Sequence, residues 1–336
     1  MTELLPWHQS QWSGFVQARK DVRLPHALLL QGRAGLGKRR FGALLIQSLL
    51  CKRCEPSGLP CTACRGCRQV EAGSHPDLRE LVVESGRMAI RVEQIRSLIE
   101  FLDLRSQYRG FKIALLAQAD RLNVQAANAL LKTLEEPAPD SLIVLITDAP
   151  VRLPATLRSR CQNVRFSTPD RRLAQAWLQE MAAVGQGVAA VALSEAGGSP
   201  LAALEQLKPD SRAERAELLD RLADLANGRA DPLAVAADWE KKNTELIFSV
   251  LCGWYVDLMR LNASPGSQPL YHLDRHEQLH SLALAVDAAQ LSDCHRSAQQ
   301  SLELCDTALV KRLMLEQALL RLASLFDDMN VRNAFA

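Results

Sequence analysis

Gly32-Arg33-Ala34-Gly35-Leu36-Gly37-Lys38 matches the first seven positions of G-x-x-x-x-G-K-[S/T]. That pattern is a backbone cradle for phosphate. Glycines let the chain turn its N–H groups toward phosphate oxygens, and a helix beginning at the last glycine adds partial positive charge. Gly32, Gly35, Gly37 and Lys38 are therefore candidate phosphate-binding residues, with Lys38 reaching for the outer phosphates. The eighth position is Arg39, where a Ser or Thr hydroxyl would hold Mg2+. Hydrolysis also needs carboxylates at the end of a neighbouring strand. The apolar run Phe111–Leu116 leads instead into Ala117-Gln118, and Asp120 arrives late, in a position suited to a turn. Without metal ligands or an activating carboxylate, intrinsic ATP hydrolysis is not expected; ATP or ADP binding without hydrolysis stays open.

Cys61, Cys64 and Cys67 form C-x2-C-x2-C, a spacing that folds three thiolates around one ion. Zn2+ takes four ligands in a closed tetrahedral site, and all-sulfur ligation indicates a structural role. Cys51, at the end of an apolar helix, and Cys54, in a loop, both qualify as the fourth. His75, beside Pro76, reads as a loop histidine rather than a ligand.

A third group is a single cation. Arg160 lies in Leu153-Pro154-Ala155-Thr156-Leu157-Arg158-Ser159-Arg160-Cys161, after a short helix and before a strand. In a ring of such domains that edge faces the next subunit's nucleotide, where an arginine stabilises charge on the transferred phosphoryl group in trans. The competing reading is an ordinary surface ion pair. Thr147, at a strand end, either senses phosphate or caps a turn.

These residues need a scaffold. Strand-like runs at Ala27–Leu30, Leu81–Val83, Phe111–Leu116, Leu142–Ile146 and Val164–Phe166 alternate with helix-like runs at Arg39–Leu50, Val92–Leu102 and Ala126–Leu134. Alternation of this kind predicts a mostly parallel sheet covered on both faces. Beyond Phe166 strand signals stop. Thr168-Pro169, Ser199-Pro200 and Asp231-Pro232 announce helices by a capping residue followed by proline. Leu173, Ala176 and Trp177 would share a face, and a helix over Ala190–Ala196 would stop at Gly197-Gly198. Residues 1–166 are expected to form the α/β domain with the cysteine module at 51–67, residues 167–208 a small helical domain, and residues 209–336 an all-helical domain. Asn262–Pro269 would be an internal loop, and Trp254, Leu258, Leu315 and Leu322 core.

The 336 residues are 48% apolar and 23% charged, with 40 Lys plus Arg against 38 Asp plus Glu. That near-balance gives no strong field and neither demands nor excludes nucleic acid. No uninterrupted apolar stretch reaches the roughly 18 residues of a membrane span, and the start lacks a signal-peptide pattern. A cytoplasmic location is the expectation.

Arg23-Leu24-Pro25-His26-Ala27-Leu28-Leu29-Leu30, the Gly-rich loop, the cysteine insertion, the Asn128–Pro137 run and Ser159-Arg160-Cys161 together resemble the delta-prime family of bacterial DNA polymerase III clamp-loader subunits. The resemblance covers most of residues 5–208 with specific motifs. It implies an AAA+ module, a helical lid and a C-terminal collar. It also implies a heteropentamer with delta and three copies of tau or gamma that opens the beta sliding clamp and loads it on primer-template DNA at the replisome. It makes Arg160 the arginine finger lent to a motor subunit. Cys51, Cys61, Cys64 and Cys67 become the zinc ligands, with Cys51 favoured over Cys54. Motor subunits carry a lid arginine in a Gly-Ser-Leu-Arg-like run, where this chain has Gly198-Ser199-Pro200-Leu201. Two other readings compete: an active clamp-loader ATPase, and a zinc-stabilised interaction module outside any ATP machine.

Overall fold

The computed structural model describes residues 3–83, 89–108, 110–263, 270–272, 275–305 and 310–326. The chain divides into two compact units, Met1–Leu173 and Ala174–Ala336. The expected lid and collar segments thus fall together in the second unit, apart from residues 167–173.

The first unit is built on five strands: β1 (Ala27–Gln31), β2 (Leu78–Leu81), β3 (Lys112–Leu116), β4 (Ser141–Thr147) and β5 (Gln162–Arg165). Their order is β2-β3-β4-β1-β5, and every pairing is parallel. Its helices are α1 (Gln9–Lys20), α2 (Lys38–Leu50), α3 (Arg65–Glu71), α4 (Val92–Asp103), α5 (Val124–Glu135) and α6 (Ala155–Arg158). The central strands carry unbroken apolar runs, Ala27–Leu30, Ile113–Leu116 and Leu142–Ile146, because both faces are covered. Leu29, Ala114, Leu116, Ile143 and Leu145 pack with Ile95, Leu98, Ala127 and Leu130 of α4 and α5. Their alternate neighbours Leu28, Leu30, Ile113, Leu115 and Val144 pack with Trp12, Phe15, Phe41, Leu44 and Leu45 of α1 and α2. The period of two along each strand thus divides the core into two layers.

The register puts Gln31 opposite both Thr147 and Arg165, so β1, β4 and β5 end together. This C-terminal edge of the sheet carries the Gly-rich loop and the turn after Thr147, the usual place for ligands in open α/β sheets. The strand expected at Leu81–Val83 lies earlier, at Leu78–Leu81. It is an edge strand of mixed polarity, Leu-Arg-Glu-Leu, so its apolar signal is diluted.

From the boundary onward the elements are helical: α7 (Arg171–Ala182), α8 (Gln186–Glu195), α9 (Pro200–Gln206), α10 (Pro209–Ala226), α11 (Pro232–Trp239), α12 (Thr244–Ala263), α13 (His276–Ala283), α14 (Ala288–Leu304) and α15 (Lys311–Ser324). No strand occurs there among the described residues. Two helix starts fall where Ser199-Pro200 and Asp231-Pro232 place them, and the Asp231 carboxylate accepts from the N–H groups of Leu233 and Ala234. The Thr168-Pro169 start is corrected: α7 begins at Arg171, and Asp170 accepts from Arg172 and Leu173 N–H. A carboxylate two residues further on takes the cap. The buried face of α7 is accordingly Ala174, Trp177 and Leu178, with Leu173 exposed, in place of Leu173, Ala176 and Trp177. Helix α8 ends at Glu195, and Gly197 and Gly198 follow at φ 58° and 81°, a left-handed stop. The loop expected at Asn262–Pro269 lies outside the described residues from 264 onward.

Trp254, Leu258, Leu315 and Leu322 are all core. Helix α12 is long and apolar enough to cross a membrane, but its Phe248, Leu251, Trp254, Tyr255 and Leu258 form the centre of this unit's core.

Candidate phosphate loop, cysteine cluster and arginine edge

Gly32, Gly35 and Gly37 all have positive φ, at 155°, 75° and 90°. Gly37 is also pinned by space: a Cβ there would meet Leu5 Cδ1 at 2.5 Å and His8 Cε1 at 2.9 Å. The N-terminal turn Pro6–His8 packs directly on the loop. Trp7 Nε1 and His8 Nε2 both donate to the Leu36 carbonyl, at 3.0 and 2.8 Å. His8 is buried edge-on against Phe41 and Phe166. Burial outweighs its bond to Leu36 and lowers its pKa to about 4, so the ring is neutral. Trp7 and His8 are not legible as loop residues in the sequence, because nothing in their spacing connects them to residue 36.

Lys38 begins α2 and is 3% exposed. Its ammonium donates to the Gly32 and Arg33 carbonyls at 2.6 Å each, and lies 2.5 Å from an oxygen of Asp148. Those three acceptors match its three N–H donors. Arg39 points elsewhere and pairs with Glu80 on β2 at 2.9 Å. Thr147 is buried, and its hydroxyl accepts from Ala149 N–H at 3.1 Å. Asp120 accepts from Asp148 N–H at 3.4 Å, tying the end of β3 to the end of β4. Ala117 and Gln118 bring no carboxylate to the edge.

Cys51, Cys61, Cys64 and Cys67 place their sulfurs within 4.8 Å of one another, a group able to hold a metal ion. Neighbouring S–S distances of 3.5, 3.5 and 3.9 Å exclude disulfides and suit ligands around one ion. Burial pushes the Cys51 thiol up to about 11 and Cys67 upward. Burial also works against Cys64, but N–H donors from Cys67 and Lys52 bring it down to about 6. Four thiolates this close repel one another, and a dication removes that cost, so the donor set fits a metal. Cys54 turns away: it bonds the Ser48 carbonyl at 3.0 Å and receives Arg19 at 3.4 Å. The module is fixed to α2 through Gly66, where a Cβ would strike the Leu50 carbonyl at 2.4 Å. His75 lies apart, its Nδ1 accepting from Asp77 N–H.

Arg160 follows α6 at the edge beside β5, with its side chain 34% exposed. Its Nε donates to Glu135 Oε1 at 2.7 Å and its Nη1 to the Thr156 carbonyl at 2.8 Å, while Nη2 also meets Glu135. Glu135 is the last residue of α5. Cys161 is buried, and burial raises its thiol to about 11, which makes it core rather than chemistry.

A parallel sheet with a Gly-rich loop after the interior strand β1, a four-cysteine module after the loop helix and an arginine at the sheet's edge defines a phosphate-loop α/β module. Residues 7–170 match the family described as DNA polymerase III, delta subunit, and residues 209–324 its C-terminal region. The chain is 33% identical over 325 residues to DNA polymerase III subunit delta' of Pseudomonas aeruginosa, covering 95% of this chain and 97% of that one. It is 36% identical over 219 residues to the Escherichia coli delta' subunit, covering 65% of each. The Haemophilus influenzae tau/gamma subunit is 36% identical over 151 residues, which are 45% of this chain and 21% of that one. The chain belongs to the DNA polymerase III delta-prime family.

Proposed function

We propose that this chain is the non-hydrolysing delta-prime position of a clamp loader, and that Arg160 completes the nucleotide site of a neighbouring motor subunit. The observation that carries the reading is the contrast in cation placement. Lys38 is buried and fully bonded within its own chain, whereas Arg160 is partly exposed and oriented by Glu135. The substitution of Arg39 for the metal-binding hydroxyl and of Ala117-Gln118 for the acidic pair supports the first half. The partners on this reading are delta and tau or gamma. The assembly would load the beta sliding clamp on primer-template DNA at the cytoplasmic replisome. Residues 167–208 would serve as lid and 209–336 as collar.

Replacing Arg160 with Ala in a reconstituted assembly should sharply lower DNA-dependent ATP turnover and clamp loading. Unchanged turnover removes the finger, and ATP hydrolysis by the isolated chain removes the non-hydrolysing reading.

The cysteine cluster is proposed to hold Zn2+ as a structural ion, consistent with its all-sulfur donors, of which Cys51 and Cys67 are buried. Cys51, Cys61, Cys64 and Cys67 would be the ligands. When bound, the ion would fix the 51–67 segment against α2. Metal analysis should find about one zinc per chain, retained in Cys54→Ala and lost in Cys51→Ala; the reverse pattern would exchange the two cysteines.

A further inference from the structure

The phosphate loop keeps every glycine and its lysine, yet the group facing that lysine belongs to the same chain. Lys38 Nζ lies 2.5 Å from Asp148 Oδ1 and donates to two loop carbonyls. An ammonium has three donors, so an incoming phosphate oxygen must displace one of these acceptors. The two carbonyls are part of the loop itself. Asp148 is the removable one: its side chain is 57% exposed, whereas that of Lys38 is 3% exposed. Its backbone is aimed by the strand ends, because Asp148 N–H donates to Asp120 and Thr147 accepts from Ala149 N–H. The carboxylate therefore reaches the lysine from a prepared turn.

We propose that Asp148 is the resident anion of the phosphate loop: its carboxylate fills the place a phosphate oxygen would take, leaving a self-closed oxyanion site that opens when the carboxylate is removed. The ligand class is inorganic phosphate and its short polymers, together with the phosphate chain of a nucleotide. The carboxylate is covalently tethered, so it competes at a high effective concentration whatever the solution holds. It also offers one charge where a polyphosphate offers several, so the glycine N–H groups and the α2 N-terminus favour the polyphosphate once the plug is gone.

This inference rests on the reading of the loop as a non-hydrolysing site, and its test is separate from that of the finger. The isolated full-length chain would be titrated with sodium tripolyphosphate, without metal, in a calorimeter. The wild type should bind weakly. Asp148→Ala and Asp148→Asn should each bind at least about tenfold tighter, and adding Lys38→Met to Asp148→Ala should abolish the gain. Thermal melts establish folding, and Asp148→Asn, which keeps the side chain's shape, decides if the alanine variant fails to fold. Two results overturn the proposal: folded Asp148→Asn binding no tighter than wild type, or a gain that survives loss of Lys38, which would mark a general change in surface charge. The finger reading fails instead on neighbour turnover in Arg160→Ala, which this titration does not touch.

Discussion

Lys38 and Arg160 are both cations held in retained motifs of one sheet, and the fold treats them oppositely. Lys38 is buried at the mouth of the loop and satisfied on three sides by its own chain. Arg160 is held on one flank by Glu135 and the Thr156 carbonyl, with a third of its side chain open. A motif match records that a cation is present; only its partners show whether it faces inward as structure or outward as a reagent. The sharpest way to break this contrast is to remove each in turn. On the proposed finger role, Arg160→Ala should cost the neighbouring motor's site about 10³-fold or more in turnover, the scale of arginine-finger losses, with the chain's melting point nearly unchanged. Arg160→Lys should recover little, because an ammonium cannot keep both the Glu135 fork and a phosphoryl contact. Lys38→Met should do the reverse. It strands two carbonyls and should destabilise the chain by about 1–3 kcal/mol in denaturant melts, with a far smaller effect on the motor's turnover. Equal effects of the two on turnover would dissolve the comparison.

Much of this was legible in the sequence, for identifiable reasons. The central strands β1, β3 and β4 announce themselves because burial on both faces demands unbroken apolar runs. The edge strand β2 was displaced by three residues because Arg79 and Glu80 interrupt its pattern. Spacing assembled Cys61, Cys64 and Cys67 but could not choose between Cys51 and Cys54. That choice depends on where α2 ends, which sends Cys51 toward the cluster and Cys54 toward Ser48 and Arg19. Asp148, Trp7, His8 and the Glu135 fork were invisible as site residues, since each acts on a partner distant in sequence. The one available signal for Asp148 was its position directly after Thr147 at a buried strand end. For the start of α7, Thr168-Pro169 misled because Asp170 offers the better acceptor.

The inward character of the loop also has a pH signature. His8 is neutral and buried under Gly37, with its pKa lowered from an ordinary 6.5 to about 4 by burial. Between those values the unfolded chain binds a proton that the folded chain refuses. Stability is therefore unaffected above about 6.5, falls as pH drops below it, and stops falling near 4. At pH 5 the loss from this group is about 2 kcal/mol at most. Wild-type melts at pH 7 and pH 5 should show this difference beyond that of His8→Gln, which cannot take up the proton. Parallel pH curves for the two chains would mean that His8 does not bear on the loop in this way.

The smallest effect should come from the residue that holds Arg160, the proposed finger, rather than from Arg160 itself. Glu135 contacts Arg160 through both Nε and Nη2 at the end of α5, and half of the Glu135 side chain is exposed. Exposure screens the charge, so the pair contributes little to stability; its value lies in holding one guanidinium orientation. Glu135→Gln keeps an oxygen for the Nε bond and should lower the neighbour's maximal turnover by only a few-fold, while Glu135→Ala, which leaves the Thr156 carbonyl as the remaining tether, should lower it by about tenfold, since a loss of orientation costs less than loss of the reacting charge. Both should leave the motor's KM for ATP and this chain's melting point nearly unchanged. If Glu135→Ala matched Arg160→Ala, Glu135 would itself reach the neighbour's site; if it changed nothing, the Thr156 carbonyl alone would suffice to orient the arginine.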